Sequence, residues 1–215
     1  MNITFIAPPA GGKGTQSAKV SKKYGIPHIS TGDLLRNTND EGIKNLLKQG
    51  KFVNEDIVTK LLKERLSQSD CDKGYVLDGY PRTLKQAQNY EAILKELGKE
   101  DIIIIVLDLD KEIAAKRVIG REICQNCGHV FNNLFEDTKS KKENICDNCG
   151  DGLTKRADDT LETFEKRYHT YQTKTEPLIK HYEAKGIVYH VNSGINKDYT
   201  FREIEKIIGG LYDKH

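Results

Sequence analysis

The sequence predicts an α/β fold built on a parallel sheet, and three observations support this. Short runs of β-branched or aromatic residues alternate along the chain with longer segments of helical periodicity. A glycine-rich loop follows the first run and precedes a helical segment, which is typical of α/β proteins that bind phosphate. The 215 residues are enough to bury roughly 70% of the unfolded surface, so one sizeable core is available.

Four apolar runs are predicted to be buried parallel strands, at residues 3–6, 75–77, 102–107 and 187–191. Helical patterns are predicted at residues 54–66, 84–97 and 160–185. In the second helix, the face that starts at Leu84 repeats every three or four residues and has Glu91 as its one polar member. For the third helix, Asp159 is the predicted N-cap, with Glu162 three residues later as in a capping box.

The composition excludes several classes of protein. Lysine and arginine total 34 against 32 acidic residues, and 37% of the chain is hydrophobic, so neither disorder nor a polyanion-coating protein fits. The longest apolar run, residues 102–107, is too short to cross a bilayer, and the N-terminal residues do not resemble a secretory signal. We therefore expect a cytoplasmic protein that has no membrane partner.

The loop at residues 7–15 has the composition of a phosphate-binding loop. Its small residues allow backbone N–H groups to surround an anion, and Lys13 adds a full positive charge at a helix N-terminus. The loop departs from the consensus because Ala7 replaces the opening glycine, and Ala10-Gly11 stands where Gly-Ala is more familiar. A methyl at a positive φ costs about 1 kcal/mol, so we expect Gly11 to adopt that conformation. The alternative is an ordinary glycine-rich turn.

Two further segments carry candidate polar groups. Asp78 ends a predicted strand, where it could hold Mg²⁺ through water beside the Thr15 hydroxyl, and Arg82 follows four residues later. An Asx-turn is the alternative for Asp78. Thr31 and Arg36 offer a hydroxyl at a helix start and a cation about one turn later, although a helix cap and a solvated charge would explain them equally.

Residues 122–158 interrupt the strand and helix order and contain two Cys-x-x-Cys pairs. This spacing predicts a tetrahedral zinc site with the ligands Cys124, Cys127, Cys146 and Cys149. A site with four protein ligands has no open position, so the metal should be structural. The fifth cysteine, Cys71, is predicted to be a buried apolar residue, and His129 is predicted not to bind the metal.

Taken in order, the glycine-rich loop, residues 30–36, residues 78–82 and Gly120-Arg121 resemble the long-lid bacterial adenylate kinases over essentially the whole chain. This resemblance implies a P-loop nucleoside monophosphate kinase fold, in which helices flank a parallel five-stranded sheet. It also implies three domains, namely a core at 1–29, 54–120 and 159–215, an AMP-binding flap at 30–53, and a zinc-bearing lid at 121–158.

The resemblance implies reversible phosphoryl transfer from Mg·ATP to AMP, giving two ADP, by a monomer that contains structural zinc. The implied ATP site comprises Ala10, Gly11, Gly12, Lys13, Gly14, Thr15, Arg117, Arg121, Val130, Phe131 and Ile195. The implied AMP site comprises Thr31, Arg36, Lys51, Phe52, Val53, Gly79, Tyr80, Pro81, Arg82, Gln86, Arg156 and Arg167. The implied catalytic cations are Lys13, Arg82, Arg121, Arg156 and Arg167, and Asp158 and Asp159 resemble lid-closing carboxylates.

Three alternatives remain open at this stage. A zinc-ribbon module for nucleic acid is suggested by Lys139, Lys141 and Lys142, but basic and aromatic residues do not alternate as such modules require. A nucleotide-binding protein with poor catalysis is suggested by Ala7 and Ala10. A kinase for another monophosphate is the third, although the long cysteine-bearing insert favours AMP.

The segment between Arg36 and Lys51 is about two helical turns shorter than is usual in the family. We therefore expect AMP to bind more weakly or less selectively than in relatives with a long flap. A monophosphate affinity equal to that of those relatives would contradict this expectation.

Overall fold

The computed structural model describes residues 1–38, 40–48, 53–156 and 158–212. Its strands in chain order are β1 (Asn2–Ile6), β2 (His28–Ser30), β3 (Val76–Asp78), β4 (Ile102–Asp108), β5 (Arg121–Cys124), β6 (Val130–Asn132), β7 (Leu153–Thr154) and β8 (Val188–Asn192). Five of them form a parallel sheet in the order β2-β3-β1-β4-β8. The predicted fold class is confirmed. Strand β2 was not predicted, because three residues are too few to show a pattern.

The α-helices are α1 (Lys13–Tyr24), α2 (Thr31–Arg36), α3 (Glu41–Lys48), α4 (Glu55–Leu66), α5 (Leu84–Leu97), α6 (Lys111–Ile119), α7 (Leu161–Thr170), α8 (Glu176–Glu183) and α9 (Lys197–Tyr212). The predicted helix at 84–97 is confirmed, although Leu84 on its expected core face is 42% exposed. Within the described residues, no helix has both the length and the apolar character needed to cross a membrane.

Helices cover both faces of the sheet, which explains why all five residues of β1 are buried. On one face, α4, α5 and α8 contribute Leu62, Tyr90 and Leu178 to a core cluster. On the other face, α1 and α9 contribute Val20 and Ile204 to a second cluster. Because the sheet is parallel, the loops after β1, β3, β4 and β8 lie along one edge of it, where α/β proteins bind ligands.

A second, smaller sheet is formed by the inserted segment, with β5 antiparallel to both β6 and β7. Its buried core consists of Cys124, Phe131 and Cys146, with Leu153 packed against them. So few apolar contacts cannot offset the conformational entropy of ordering this segment. A metal bound by the cysteines would supply the missing stabilisation.

The predicted helix at 160–185 is two α-helices, α7 and α8, joined by a π-helical turn at Tyr171–Thr175. The prediction that Asp159 caps this helix is wrong. Thr160 is the N-cap, since its hydroxyl accepts a hydrogen bond from the Thr163 backbone N–H at 3.2 Å. Glu162 pairs with Lys166 on the helix surface instead of completing a capping box.

His190 on β8 joins β4 and α8 through two acidic partners. Its Nδ1 lies 3.0 Å from Asp108 Oδ2, and its Nε2 lies 3.0 Å from Glu183 Oε1. Partial burial opposes protonation, but the hydrogen bonds to the two carboxylates outweigh it and raise the pKa of His190. These contacts therefore stabilise the fold fully below the unfolded-state pKa of about 6.5, and their contribution is lost as the pH rises through the raised pKa.

We expect His190→Gln to lower the free energy of unfolding at about pH 5.5 and to have a smaller effect at about pH 8.5. The loss at low pH should stay below about 1 kcal/mol, because the side chains are half exposed to solvent. Urea unfolding of both proteins across this range measures the difference, with His169→Gln on the exposed surface of α7 as the control. A difference that is constant with pH would contradict the expectation.

Candidate active site

The loop between β1 and α1 adopts a conformation in which two residues have positive φ. Ala10 has φ 59° and Gly12, the N-cap of α1, has φ 85°. The prediction that Gly11 takes the positive φ is wrong, because Ala10 itself adopts it at the cost that a Cβ imposes there. The loop thus ends at the N-terminus of α1, where unpaired N–H groups favour an anion.

Lys13 lies at the start of α1, and its Nζ donates a hydrogen bond to the carbonyl oxygen of Ala7 at 3.2 Å. Burial lowers the pKa of Lys13 to about 8, an effect that Asp78 opposes and that Arg82 and Arg167 reinforce. The structure therefore brings together four charged groups from three separate segments of the sequence. Three of these are cations, as a site for phosphoryl groups requires.

Asp78 ends β3, and its carboxylate lies against the phosphate-binding loop. Its Oδ2 is 3.6 Å from the position that a Cβ on Gly14 would occupy, and 3.8 Å from His28 Nε2. The carboxylate is thus placed between the loop and β2 and has only 15% of its side-chain surface exposed. An oxygen ligand beside the loop that carries Thr15 suits Mg²⁺ bound through water.

Arg82 is held by its own loop. Its Nε donates to the Gly79 carbonyl oxygen at 2.7 Å, and its backbone N–H donates to Gln86 Oε1 at 2.8 Å. Gly79 has φ 88°, and a Cβ there would lie 3.0 Å from Thr31 Oγ1. Thr31, Gly79, Arg82 and Gln86 are therefore neighbours. Ser30 caps α2, so the alternative of a helix cap for Thr31 is wrong.

Thr175 was missed by sequence reasoning, although it contacts the same loop. It ends the π-helical turn, is 7% exposed, and donates a hydrogen bond from Oγ1 to the carbonyl oxygen of Arg82 at 3.0 Å. The turn thereby joins α7, which carries Arg167, to the backbone of Arg82. A single threonine 93 residues away in the sequence carries no signal of this contact.

Two arginines, one before the inserted segment and one in α7, pair with the carboxylates at the end of that segment. Arg121 makes two hydrogen bonds to Asp159, one of 2.7 Å from Nε to Oδ2 and a second from Nη2 to Oδ1. Arg167 Nη1 lies 3.3 Å from Asp158 Oδ2. Arg156 lies beyond β7, and its carbonyl oxygen accepts a hydrogen bond from the Asp159 backbone N–H. Two of the predicted cations, Arg121 and Arg167, are thus held by adjacent aspartates.

The predicted adenine site lies beside α6. Arg117 Nη2 donates to the Ser193 carbonyl oxygen at 2.8 Å, and its guanidinium carbon is 5.9 Å from the centre of the Phe135 ring. Ile195 is 55% exposed and Val130 is 45% exposed, as apolar contacts for a base require. Phe131 is buried in the core of the small sheet. Sequence reasoning missed Phe135 and Ser193.

The four cysteines of the inserted segment lie together, with all sulfur atoms within 4.8 Å of one another. The Sγ atoms of Cys124 and Cys149 are 3.3 Å apart, and those of Cys127 and Cys146 are 3.5 Å apart. Hydrogen bonds to the Asn148 side chain and the His129 backbone lower the pKa of the Cys127 thiol to about 6, which favours the thiolate that binds metal. This donor set fits zinc.

Part of the predicted AMP site lies outside the residues that the structure describes. Lys51 and Phe52, and the side chain of Arg36, lie outside what the structure describes. Val53 is half buried just before α4. Tyr80 and Pro81 are buried, and the Tyr80 ring packs edge-on against Tyr90.

Comparison with known proteins decides the family. The family model described as adenylate kinase matches residues 5–187, which is most of the chain. The chain belongs to the adenylate kinase family. An adenylate kinase of Archaeoglobus fulgidus is 43% identical over 214 residues, covering 97% of this chain and 98% of the relative.

Bacterial relatives agree with this assignment. An adenylate kinase of a Geobacillus species is 40% identical over 217 residues, covering 98% of this chain and 100% of the relative. One from Thermotoga maritima is 38% identical over 214 residues and covers 96% of both chains. The matched length shows that this chain spans nearly all of these adenylate kinases.

Proposed function

We propose that this chain transfers a phosphoryl group reversibly between Mg·ATP and AMP, giving two ADP. The observation that carries the proposal is the meeting of Lys13, Arg82, Arg167 and Asp78 at the carboxyl ends of β1 and β3. Membership of the adenylate kinase family supports the same reaction. The phosphate-binding loop after β1 and the loop that carries Arg82 meet at one cluster of cations, which suits a transfer between two nucleotides.

ATP would bind along the loop after β1 and the last turn of α6, which carries Arg117. Backbone N–H groups of residues 10–15 would surround its phosphates, with Lys13 nearest the transferred group. Arg117 would stack on the adenine, and its contacts with Ser193 and Phe135 keep the guanidinium on the side of the exposed Ile195. Val130 would contact the base, and Phe131 would support Val130 from the buried core of the small sheet.

AMP would bind at the same carboxyl edge of the sheet as ATP, but nearer to β2 and β3. Arg82 would hold its phosphate, with the Nε bond to Gly79 fixing the guanidinium. Thr31 and Gln86 lie against the same loop and would contact the nucleoside. The remaining proposed contacts come from Arg36, residues 51–53, residues 80–81, Arg156 and Arg167.

The reaction requires positioning and charge neutralisation rather than a covalent intermediate. The AMP phosphate oxygen is already anionic, so it needs no general base before it attacks the γ-phosphorus in line. Lys13, Arg82, Arg121, Arg156 and Arg167 would stabilise the charge that spreads over the transferred oxygens. ADP leaves from the ATP side as the new bond to AMP forms, so two ADP result.

Two metals fit the residues present. Asp78, through water, and Thr15 would hold Mg²⁺, which neutralises phosphate charge when bound. The four cysteines would hold structural zinc in the lid. The zinc would stabilise the lid without contacting a nucleotide.

We propose the division into a core at 1–29, 54–120 and 159–215, a flap at 30–53 and a lid at 121–158. Closing of the lid would exclude water, which protects ATP from hydrolysis. Asp158 and Asp159 hold Arg167 and Arg121 before nucleotide binds, and phosphates would compete for the same guanidinium groups. We also expect the protein to be a cytoplasmic monomer. Because its flap is short, we expect AMP to bind more weakly or less selectively than in relatives with a long flap.

The proposal is tested by measuring ADP formation from Mg·ATP with AMP, CMP, UMP and GMP in parallel. Turnover with AMP that exceeds the others by about 100-fold or more is expected, because a site built around specific polar contacts rejects analogues that leave those groups unpaired. Equal turnover with a pyrimidine monophosphate would identify another monophosphate kinase. ATP binding without turnover would identify a nucleotide-binding protein, and tight salt-sensitive binding of RNA would favour the zinc-ribbon alternative.

Thr175→Val tests the contact between the π-helical turn and Arg82. Valine keeps the shape but removes the hydroxyl, which leaves the Arg82 carbonyl without this donor. We expect the KM for AMP to rise about five- to tenfold, corresponding to one lost hydrogen bond, while the KM for ATP changes little. Steady-state kinetics measures this, with Thr173→Val on the exposed side of the same turn as the matched control. Equal changes in both KM values would refute a role at Arg82.

A further inference from the structure

Ala7 and Gly11 face each other across the phosphate-binding loop. A Cβ added to Gly11 would lie 2.6 Å from the Cβ of Ala7 and 3.0 Å from the Pro8 carbonyl oxygen. The first distance is too short for two carbon atoms without a shift of the backbone. The φ of Gly11 lies outside the left-handed region, so its conformation does not require glycine. Glycine is needed there because the Ala7 methyl fills the space.

Ala7 is fixed from the other side by the core. It is 7% exposed and packs with Phe5 and Val20 under the sheet. Its methyl therefore has no free volume into which it could move if position 11 gained a side chain. Its carbonyl oxygen accepts the hydrogen bond from Lys13 Nζ at 3.2 Å, so a shift of Ala7 displaces the acceptor that holds Lys13.

Gly11 is fixed as well. Its backbone N–H donates to the Pro8 carbonyl oxygen at 3.0 Å, which closes the tight turn before α1. A Cβ on Gly11 would meet this carbonyl oxygen at 3.0 Å, which requires an adjustment of only a few tenths of an ångström. The 2.6 Å contact with the Ala7 methyl is therefore the one that excludes a side chain at position 11. Ala10 does not share this constraint, because it packs on the other side against Ala114 and Phe164.

We infer that Ala7 is a positioning residue for the phosphate-binding loop, and that Ala7 and Gly11 form a matched pair that holds a single methyl group. Moving that methyl from position 7 to position 11 preserves the loop, whereas placing a methyl at both positions distorts it. The pair acts on ATP through the backbone of residues 10–12 and through the anchor of Lys13. The inference rests on the proposed function, because it assigns this loop to ATP.

Four proteins test the inference, namely the wild type, Ala7→Gly, Gly11→Ala and the double variant Ala7→Gly/Gly11→Ala. For Gly11→Ala, we expect kcat/KM for ATP to fall about 100-fold, as displaced positioning groups cause, with a much smaller change in the KM for AMP. The double variant should recover to within about fivefold of the wild type, because the two residues share one contact. Gly209→Ala, at an open position in α9, is the matched control and should leave activity unchanged.

A large fall in kcat/KM for ATP together with a small change in the KM for AMP indicates positioning of the loop. General destabilisation of the protein would change the kinetic constants for ATP and AMP alike. A double variant that is weaker than Gly11→Ala would overturn the inference, and so would a Gly11→Ala protein with wild-type kinetics. If Gly11→Ala does not fold, the double variant decides alone, since recovery supports the pair and failure to recover refutes it.

A calorimetric titration of Mg·ATP in the absence of AMP separates this inference from the proposed function. If the wild type forms no ADP, the proposed function fails, but the ATP affinities of the four proteins still test the pair. Loss of affinity in Gly11→Ala and recovery in the double variant would support the inference even then. Equal affinities in all four proteins would overturn it.

Discussion

We expect the Lys13→Ala variant to form ADP about 100- to 1000-fold more slowly than the wild type at saturating ATP and AMP, because it removes one preorganised charge from the transfer site. Lys13 is the cation at the end of the loop, and the contact of its Nζ with the Ala7 carbonyl oxygen directs it into the cluster with Asp78 and Arg82. Its charge is worth more in this buried position than it would be in water.

A coupled assay of ADP formation measures the loss, and titration of Mg·ATP separates binding from turnover. Lys22→Ala is the matched control, because it removes the same charge from an exposed position of the same helix. The fold should be unaffected in both variants, which far-UV circular dichroism checks. A Lys13→Ala enzyme that keeps more than about one-tenth of the wild-type kcat would show that the arginines alone stabilise the transferred group.

We expect removal of zinc to unfold the proposed lid and to leave the five-stranded sheet folded. Among the described residues, the core cluster of the lid consists of Cys124, Phe131 and Cys146 with Leu153 beside them, so metal–sulfur bonds would supply most of its stability. In structural zinc sites of this kind, the metal contributes about 10 kcal/mol or more at neutral pH. The sheet has two larger clusters of its own and does not depend on the cysteines.

Hydrogen exchange with and without a zinc chelator measures this effect. Amides of β5 and β6 should lose their protection, whereas those of β1 and β4 should keep it. Cys149→Ser should reproduce the loss, and Cys71→Ser, which changes the one cysteine outside the cluster, should retain a full equivalent of zinc. An unchanged melting curve and unchanged lid protection after metal removal would contradict the prediction.

Local patterns were enough to predict much of the fold. The runs at 3–6 and 102–107 are long and apolar, and both are strands of the parallel sheet. The spacing of the cysteines predicted the cluster, because closing two Cys-x-x-Cys turns on one metal is a local geometric requirement. By contrast, β2 has three residues and gave no periodic signal.

Contacts between distant residues could not be predicted in this way. Asp159 was predicted as a helix cap from its neighbours, but Arg121, which is 38 residues away, binds its carboxylate. The π-helical turn at Tyr171–Thr175 is equally invisible, since the helical pattern continues on both sides of it. The turn places Thr175 where its hydroxyl donates a hydrogen bond to the Arg82 carbonyl oxygen. This contact depends on how α7 and α8 pack on the sheet.

The sequence by itself determined the order of most strands and helices, the loop that ends at Lys13 and the four-cysteine cluster, because each depends on residue types at short, regular spacings. Only the tertiary structure decided which groups meet at the carboxyl edge of the sheet, which carboxylates hold the arginines, and why Gly11 accompanies Ala7. The physical reason is that these contacts join separate elements, and their distances are set by the packing of helices on a parallel sheet rather than by the local chain.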